Sequence, residues 1–169
     1  MEERGNWEIE DYLKLPLIAG LATIKGLRGI ENLEYKFKWT NDVYLENKKL
    51  CGILMEKTDN VYIVGIGINV NNILPEKLKN KAISLTQATD KKYEIDEIIK
   101  NIVSEFQILC ENLENGSWED ILKEINEINY LKNKKIELKF GNEKVLGIAQ
   151  DINENGEIEV LVDYGVDFK

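Results

Sequence analysis

The stretch "EIDEIIKNIVSEFQILCENLEN" constrains the fold most. In it Ile95, Ile98, Ile99, Ile102, Val103, Phe106, Leu109, Cys110 and Leu113 follow the i, i+3, i+4, i+7 spacing of a helix. An apolar stripe of that length has to be buried, so the chain must supply a core for it. "NGSWEDILKEINEI" predicts a second helix, with Ser117 as N-cap, Asp120 as capping-box partner and its own apolar stripe in the core. Upstream, "LPLIAGLATIKGL" (Leu15 to Leu27) is small and apolar enough to be a buried helix with Pro16 in its first turn, while the preceding "MEERGNWEIEDYLK" is charged and weakly patterned.

Between these helices the period changes to two. From Leu33 to Val43, Tyr35, Phe37 and Trp39 alternate with Lys36 and Lys38, which predicts a strand; "YLENKKLCGILMEK" continues it as a hairpin turning near Asn47. "NVYIVGIGINVN" is almost continuously apolar, which predicts a strand central in its sheet. Beyond Tyr130 the pattern becomes short alternating strands separated by Gly-Asn, Asn-Gly and Tyr-Gly turn signals. A domain boundary near Tyr130 follows, dividing the chain into 1–129 and 130–169.

At 169 residues the chain fits one domain, or one domain with a small appendage. A net charge of -9, with Arg4 and Arg28 the only arginines, argues against a nucleic-acid or anionic-membrane surface. Without a histidine, Ser-His-Asp and Cys-His nucleophilic schemes and most zinc sites are excluded. Cys51 and Cys110 lie far apart and no secretory pattern opens the chain, so reduced thiols in a cytoplasmic setting are expected. No apolar run approaches the roughly 18 to 20 residues of a membrane span.

Three segments could carry chemistry. Gly65, Gly67 and Asn69 share one strand face, with Val64, Ile66 and Ile68 on the other, leaving a shallow trough with an amide at its end. A bulge or tight helix packing explains an isolated Gly-x-Gly better, and no third glycine completes a dinucleotide fingerprint. Lys49 shares parity with Cys51 and Ile53, which predicts a stem lying along an apolar face; alone, it is most simply a solvated lysine. "KWTND", Lys38 to Asp42, is most simply a strand ending in an Asx turn, with Trp39 in the core. Together they offer a cation, amide and carboxylate groups, and a bulk-free trough within about forty residues, the separate needs of a site for a nucleotide and an acid.

These segments, "KWTNDVYLENKKLCGILMEK" followed by "VGIGINVN", closely resemble the biotin protein ligase (biotin-[acetyl-CoA-carboxylase] ligase) family, whose usual form is K-W-P-N-D, then K-K/R-K-x-x-G-I-L-x-E, then G-x-G-x-N. "LPLIAGLA" is similar to the family's preceding helix and the last forty residues to its small C-terminal barrel. The resemblance implies an α+β fold: a class II synthetase-like mixed sheet packed by helices, lacking its N-terminal strands, then a small, incomplete Src-homology-3-like β-barrel. It implies ATP-dependent formation of biotinyl-5'-adenylate and transfer of biotin to a lysine of a biotin carboxyl carrier protein, with ATP and biotin as substrates and Mg2+ as cofactor. Lys49 is then the catalytic lysine at the biotin carboxylate and α-phosphate; Gly52, Ile53, Leu54, Gly65 and Gly67 lie beside biotin. Lys38, Trp39, Asn41, Asp42 and Asn69 lie at the nucleotide, with Asp42 toward magnesium.

Two departures accompany the match. Thr40 replaces the motif's proline, which frees a backbone N–H. The family's G-R-G-R-x-x-R biotin loop has no counterpart around Arg4 or Arg28, so Met1 is expected to correspond to a position inside the catalytic domain, and the far end to stop short of the whole barrel. Poor ligation by this chain alone is the expectation. The alternatives are a non-catalytic binding or assembly module, including a homodimer through an exposed sheet edge, and a lipoate-attaching relative.

Overall fold

Helix α1, Asp11–Arg28, is apolar on nearly every side, and Leu15, Leu17, Ile18, Leu21, Ala22, Ile24 and Leu27 are all buried. A helix of that kind needs cover all round. The structure, a computed structural model describing residues 11–59, 61–140 and 143–162, provides it with a four-stranded antiparallel sheet and two further helices. The strands are β1 (Lys36–Lys38), β2 (Asp42–Leu45), β3 (Lys48–Thr58) and β4 (Val61–Ile68), in that spatial order. Phe37, Val43, Cys51 and Ile53 point from the sheet into the core with α1. Gly20 of α1 lies against the Phe37 ring, leaving no space for even a methyl group.

Several local expectations need correction. Pro16 falls inside α1 and not in its first turn, since the helix spans Asp11–Arg28. The strand expected over Leu33 to Val43 is two strands, because Trp39, Thr40 and Asn41 form a turn between β1 and β2. The second hairpin turns at Glu46 and Asn47, both left-handed (φ 50° and 60°), the backbone that two-residue hairpin turns favour and that asparagine tolerates. The apolar strand β4 is not central: among the described residues it is the sheet edge, with Val61 and Ile63 more than half exposed. Its alternation is nonetheless regular, with Tyr62, Val64, Ile66 and Ile68 more covered than their neighbours.

After β4 a short helix, α2 (Leu85–Thr89), is capped by the Ser84 hydroxyl accepting from the Gln87 amide at 3.2 Å. Helices α3 (Ile95–Glu114) and α4 (Trp118–Glu127) occupy the expected stretches. Ser117 does precede α4, but its side chain makes no capping hydrogen bond. The stripe of α3 is only partly core. Ile98, Ile102 and Leu109 are buried, whereas Ile95, Ile99 and Val103 are about half exposed, because the contact with α1 is narrower than the stripe.

The remaining strands, β5 (Lys135–Phe140), β6 (Glu143–Ile152) and β7 (Ile158–Val162), form a separate three-stranded antiparallel sheet, consistent with a small barrel-like unit. Its β6–β7 turn uses Gly156 at φ 81°, as the Asn-Gly signal predicts. The Gly141-Asn142 and Tyr164-Gly165 signals lie outside the described residues, as does the segment 1–10. The whole is α+β. No helix among the described residues is long and apolar enough to cross a membrane.

Close approach of α1 and α3 depends on Gly26, where a Cβ would lie 2.8 Å from the Ile102 backbone nitrogen. Backbone cannot swing aside as a side chain can. Gly26→Ala is therefore expected to lose about 1 to 3 kcal/mol of stability despite the better helix propensity of alanine, measured by urea denaturation.

Candidate functional site

The site lies on the sheet face turned away from α1. Across β2 and β3, Val43 pairs with Cys51 but Tyr44 pairs with Lys49, so Leu50 is an extra residue on β3. Such a bulge breaks the two-residue alternation, and Leu50 and Cys51 both enter the core. Lys49 is consequently carried to the outer face, opposite to Cys51 and Ile53, which overturns the parity assumed from sequence. Its backbone is fixed from the far side: Lys49 N–H donates to Lys81 O (2.9 Å) and Lys49 O accepts from Ile83 N–H (3.0 Å).

On that face Lys49 Nζ stands 2.6 Å from Asp42 Oδ1. Gly52, paired with Asp42 across the strands, makes the space, for a Cβ there would be 3.1 Å from Lys49 Nζ. Along the next pair of strands Gly52 faces Gly67 and Leu54 faces Gly65. The three glycines thus form a continuous trough whose floor is backbone; at Gly65 and Gly67 an added Cβ would meet nothing nearer than a carbonyl oxygen 3.8 Å away. Leu54, 62 % exposed, stands beside it. Ile53 is buried with its side chain on the opposite face, so only its backbone borders the site.

The "KWTND" segment is the turn that closes one end of the trough. The Asn41 amide donates to Ile53 O (2.7 Å) and Asn41 O accepts from Ile53 N–H (2.8 Å), tying the turn to β3. Trp39 lies partly against the core, and its indole N–H donates to Gly156 O (2.9 Å), tying the same turn to the second sheet. The Trp39–Thr40 peptide bond is cis. Lys38 is the cross-strand partner of Asp42 and its ammonium donates to the Tyr44 hydroxyl at 3.0 Å. Asn69 continues from β4 beyond the trough, where its N–H donates to Leu50 O and its side-chain oxygen accepts from Asn72.

A polar brace missed in the sequence supports this end of the molecule. Asn71 accepts from Thr86 Oγ1 and Tyr93 N–H and donates to Tyr93 O, while the Tyr93 hydroxyl and Lys91 both reach Glu31. These partners are up to about sixty residues apart, beyond any local spacing signal. Lys91 and Tyr93 together hold the Glu31 carboxyl below its usual range.

No group of three or more acidic or thiol side chains that could cage a metal occurs among the described residues. Asp42 is a single carboxylate already paired with Lys49. It fits a magnesium ion only as one ligand among phosphate oxygens, the arrangement that this small, tightly hydrated cation commonly takes. Beneath it, burial and then the Asp42 charge push the Cys51 thiol up to about 12. Cys51 and Cys110 are not joined in a disulfide.

Residues 8–72 match the model of the Biotin/lipoate A/B protein ligase family. The chain is 37% identical over 102 residues to the Bifunctional ligase/repressor BirA of Bacillus subtilis, an alignment covering 56% of this chain and 31% of that protein. It superposes on the crystal structure of biotin protein ligase from Aquifex aeolicus with a TM-score of 0.82 and 28% identity, over 90% of this chain and 72% of that one. The Aquifex enzyme in complex with biotin and ATP gives 0.80 at 28% identity, over 89% and 68%. The fold is thus that of the biotin protein ligases, with a class II synthetase-like sheet. Within that class, the proteins this chain is similar to are biotin protein ligases. It spans about a third of the length of its Bacillus relative.

Two buried acids make stability fall at high pH. Burial raises both the Cys51 thiol, to about 12 from 9.0, and the Tyr35 hydroxyl, so the fold keeps protons that the unfolded chain has lost. Their contribution is full below about pH 9 and drains away as pH climbs toward 12, at up to about 1.4 kcal/mol per pH unit for each group. In calorimetric melts, Tm is expected to drop less steeply between pH 9 and 11 for Cys51→Ala than for the wild-type chain.

Proposed function

We propose that this chain carries the biotinyl-adenylate site of a biotin protein ligase. The observation that supports this most is the Lys49 ammonium, held by Asp42 over the missing side chain of Gly52 at the end of the Gly65–Gly67 trough. A bulky, cis-fused bicyclic acid that must lie close to the strands needs a floor without side chains, and the trough supplies one. Its carboxylate then lies where Lys49 can meet both it and the α-phosphate.

In the first step a biotin carboxylate oxygen forms a bond to the α-phosphorus while the bond to the bridging oxygen breaks and pyrophosphate leaves. Charge accumulates on the α-phosphoryl oxygens, and an ammonium already aimed there stabilises that charge without reorganising. Lys38 adds positive charge near the leaving phosphates; Asp42 accepts from Lys49 and would be the protein ligand to a magnesium ion, which would supply charge neutralisation at the phosphates. Asn41 holds β3 against the turn, and Trp39 and Asn69 border the nucleotide. In the second step the amine of a carrier-protein lysine attacks the acyl carbonyl, the bond to the phosphate oxygen breaks and AMP leaves.

The boundary near Tyr130 is part of this reading, residues 1–129 supplying the site and 130–169 the accessory sheet. These 169 residues taken alone are expected to ligate poorly, because among those described nothing covers Gly65 and Gly67 on the solvent side and water can reach the adenylate. Binding is therefore the sharper test. A non-hydrolysable biotinyl-adenylate analogue should raise Tm and bind saturably in calorimetry.

Two variants separate site from scaffold. Asp42→Asn breaks an ion pair whose lysine is 44 % exposed, costing at most about 1 kcal/mol of stability. Gly65→Val enters open space on a strand and should leave Tm nearly unchanged. Both are expected to weaken analogue binding at least about tenfold, a loss equivalent to about 1.4 kcal/mol. No saturable binding by the wild-type chain would sink the reading, and tighter binding of a lipoyl-adenylate analogue would transfer it to lipoate. Robust biotinylation of a carrier domain by the chain alone would refute the expected impairment.

A further inference from the structure

Next to the trough, the same outer face carries a row of cations and aromatic rings that starts at Lys38 and extends beyond the residues assigned to the adenylate. Lys36 pairs across the strands with Tyr44, and Lys38 Nζ lies 4.9 Å from the Tyr44 ring centre. Tyr130 comes to the row because residues 128–130 run alongside β1, with Tyr130 N–H donating to Phe37 O at 2.7 Å. The Tyr44 and Tyr130 ring centres are 4.7 Å apart, and Lys134 Nζ sits 3.2 Å from the centre of Tyr130. The row thus runs from Asp42 through Lys38, Tyr44 and Tyr130 to Lys134, beside a cavity of about 400 Å³ lined in part by Lys36 and the two tyrosines.

Charge decides what such a row can take. Lys36, Lys38 and Lys134 have no carboxylate partner among the described residues, unlike Lys132 nearby, which is paired with Asp151 at 2.7 Å. Glu34 and Glu46 also line the cavity, but neither is paired with these lysines. On a chain of net charge -9, an unneutralised positive row is a local exception, so it can orient an incoming acidic surface that the rest of the molecule repels. Nucleic acid would need a longer basic track than three lysines.

We propose that the row Lys36–Lys38–Tyr44–Tyr130–Lys134 is the docking surface for the acceptor protein, taking an acidic segment that flanks its target lysine. This rests on the reading of the trough as a biotinyl-adenylate site. Carboxylates of the acceptor meet Lys134 and Lys36, its apolar atoms lie on the tyrosine pair, and the target lysine enters past Lys38 to the acyl carbonyl beside Lys49. The long-range charge gives orientation and the rings give contact area.

The test titrates an isolated biotin carboxyl carrier domain, unbiotinylated, into the full chain and into Lys36→Glu, Lys134→Glu and the double variant, at two salt concentrations. The double variant is expected to bind the carrier domain at least about tenfold more weakly, with a shallower salt dependence, while affinity for the biotinyl-adenylate analogue and Tm stay unchanged. Unchanged carrier affinity in the double variant overturns the proposal. So does a wild-type chain that binds the analogue but shows no saturable carrier binding. A chain whose carrier binding depends on the row yet does not bind the analogue supports the docking surface and sinks the adenylate reading instead.

Discussion

The bulge at Leu50 is the constraint on which the site depends. A regular β3 would put Lys49 and Cys51 on one face, with the ammonium against α1. By sending two consecutive residues inward, the strand keeps the core filled and releases Lys49 to stand over Gly52 beside Asp42. The extra residue costs one rung of strand pairing, and the Asn69 N–H is the group that takes up the Leu50 carbonyl. Core packing and site geometry are therefore two results of a single irregularity in register.

Much of the architecture is legible in the residues. The spacing of Ile98, Ile102 and Leu109 places α3, and the alternation around Gly65 and Gly67 assigns each β4 side chain to its face. The errors have physical causes. Continuous apolar character in "VYIVGIGI" resembles a central strand, but the glycine face is open, and β4 is an edge among the described residues. The Lys49 parity failed because a bulge leaves no trace in a period-two pattern. The stripe of α3 was wider than the helix it packs on, so Ile95, Ile99 and Val103 stay half exposed.

The candidate site residues stand out in sequence through the resemblance of "KWTND" and "GIGIN" to a family motif, not because the pattern itself declares a ligand. The Asn71–Tyr93–Glu31 brace and the Tyr44–Tyr130 pair had no such signal. They are made of ordinary polar and aromatic residues brought together from distant segments, and only topology reveals them. Lys38 belongs to both groups, since it is part of the motif and also the start of the cationic row.

Two tryptophan indoles, Trp39 and Trp118, donate to backbone carbonyls of one turn in the second sheet, at Gly156 and Glu154, and Asn126 grips Ile152 through both its amide groups. On the side of the second sheet every one of these groups, three carbonyls and the Ile152 N–H, is a main-chain atom. The second sheet can therefore drift in side-chain composition without breaking the seam, while a change in its turn length would displace the "KWTND" segment directly. Selection should tolerate substitutions there far more readily than insertions or deletions, so the sheet's contribution to the site is written in the length of its loop and not in the identity of its residues.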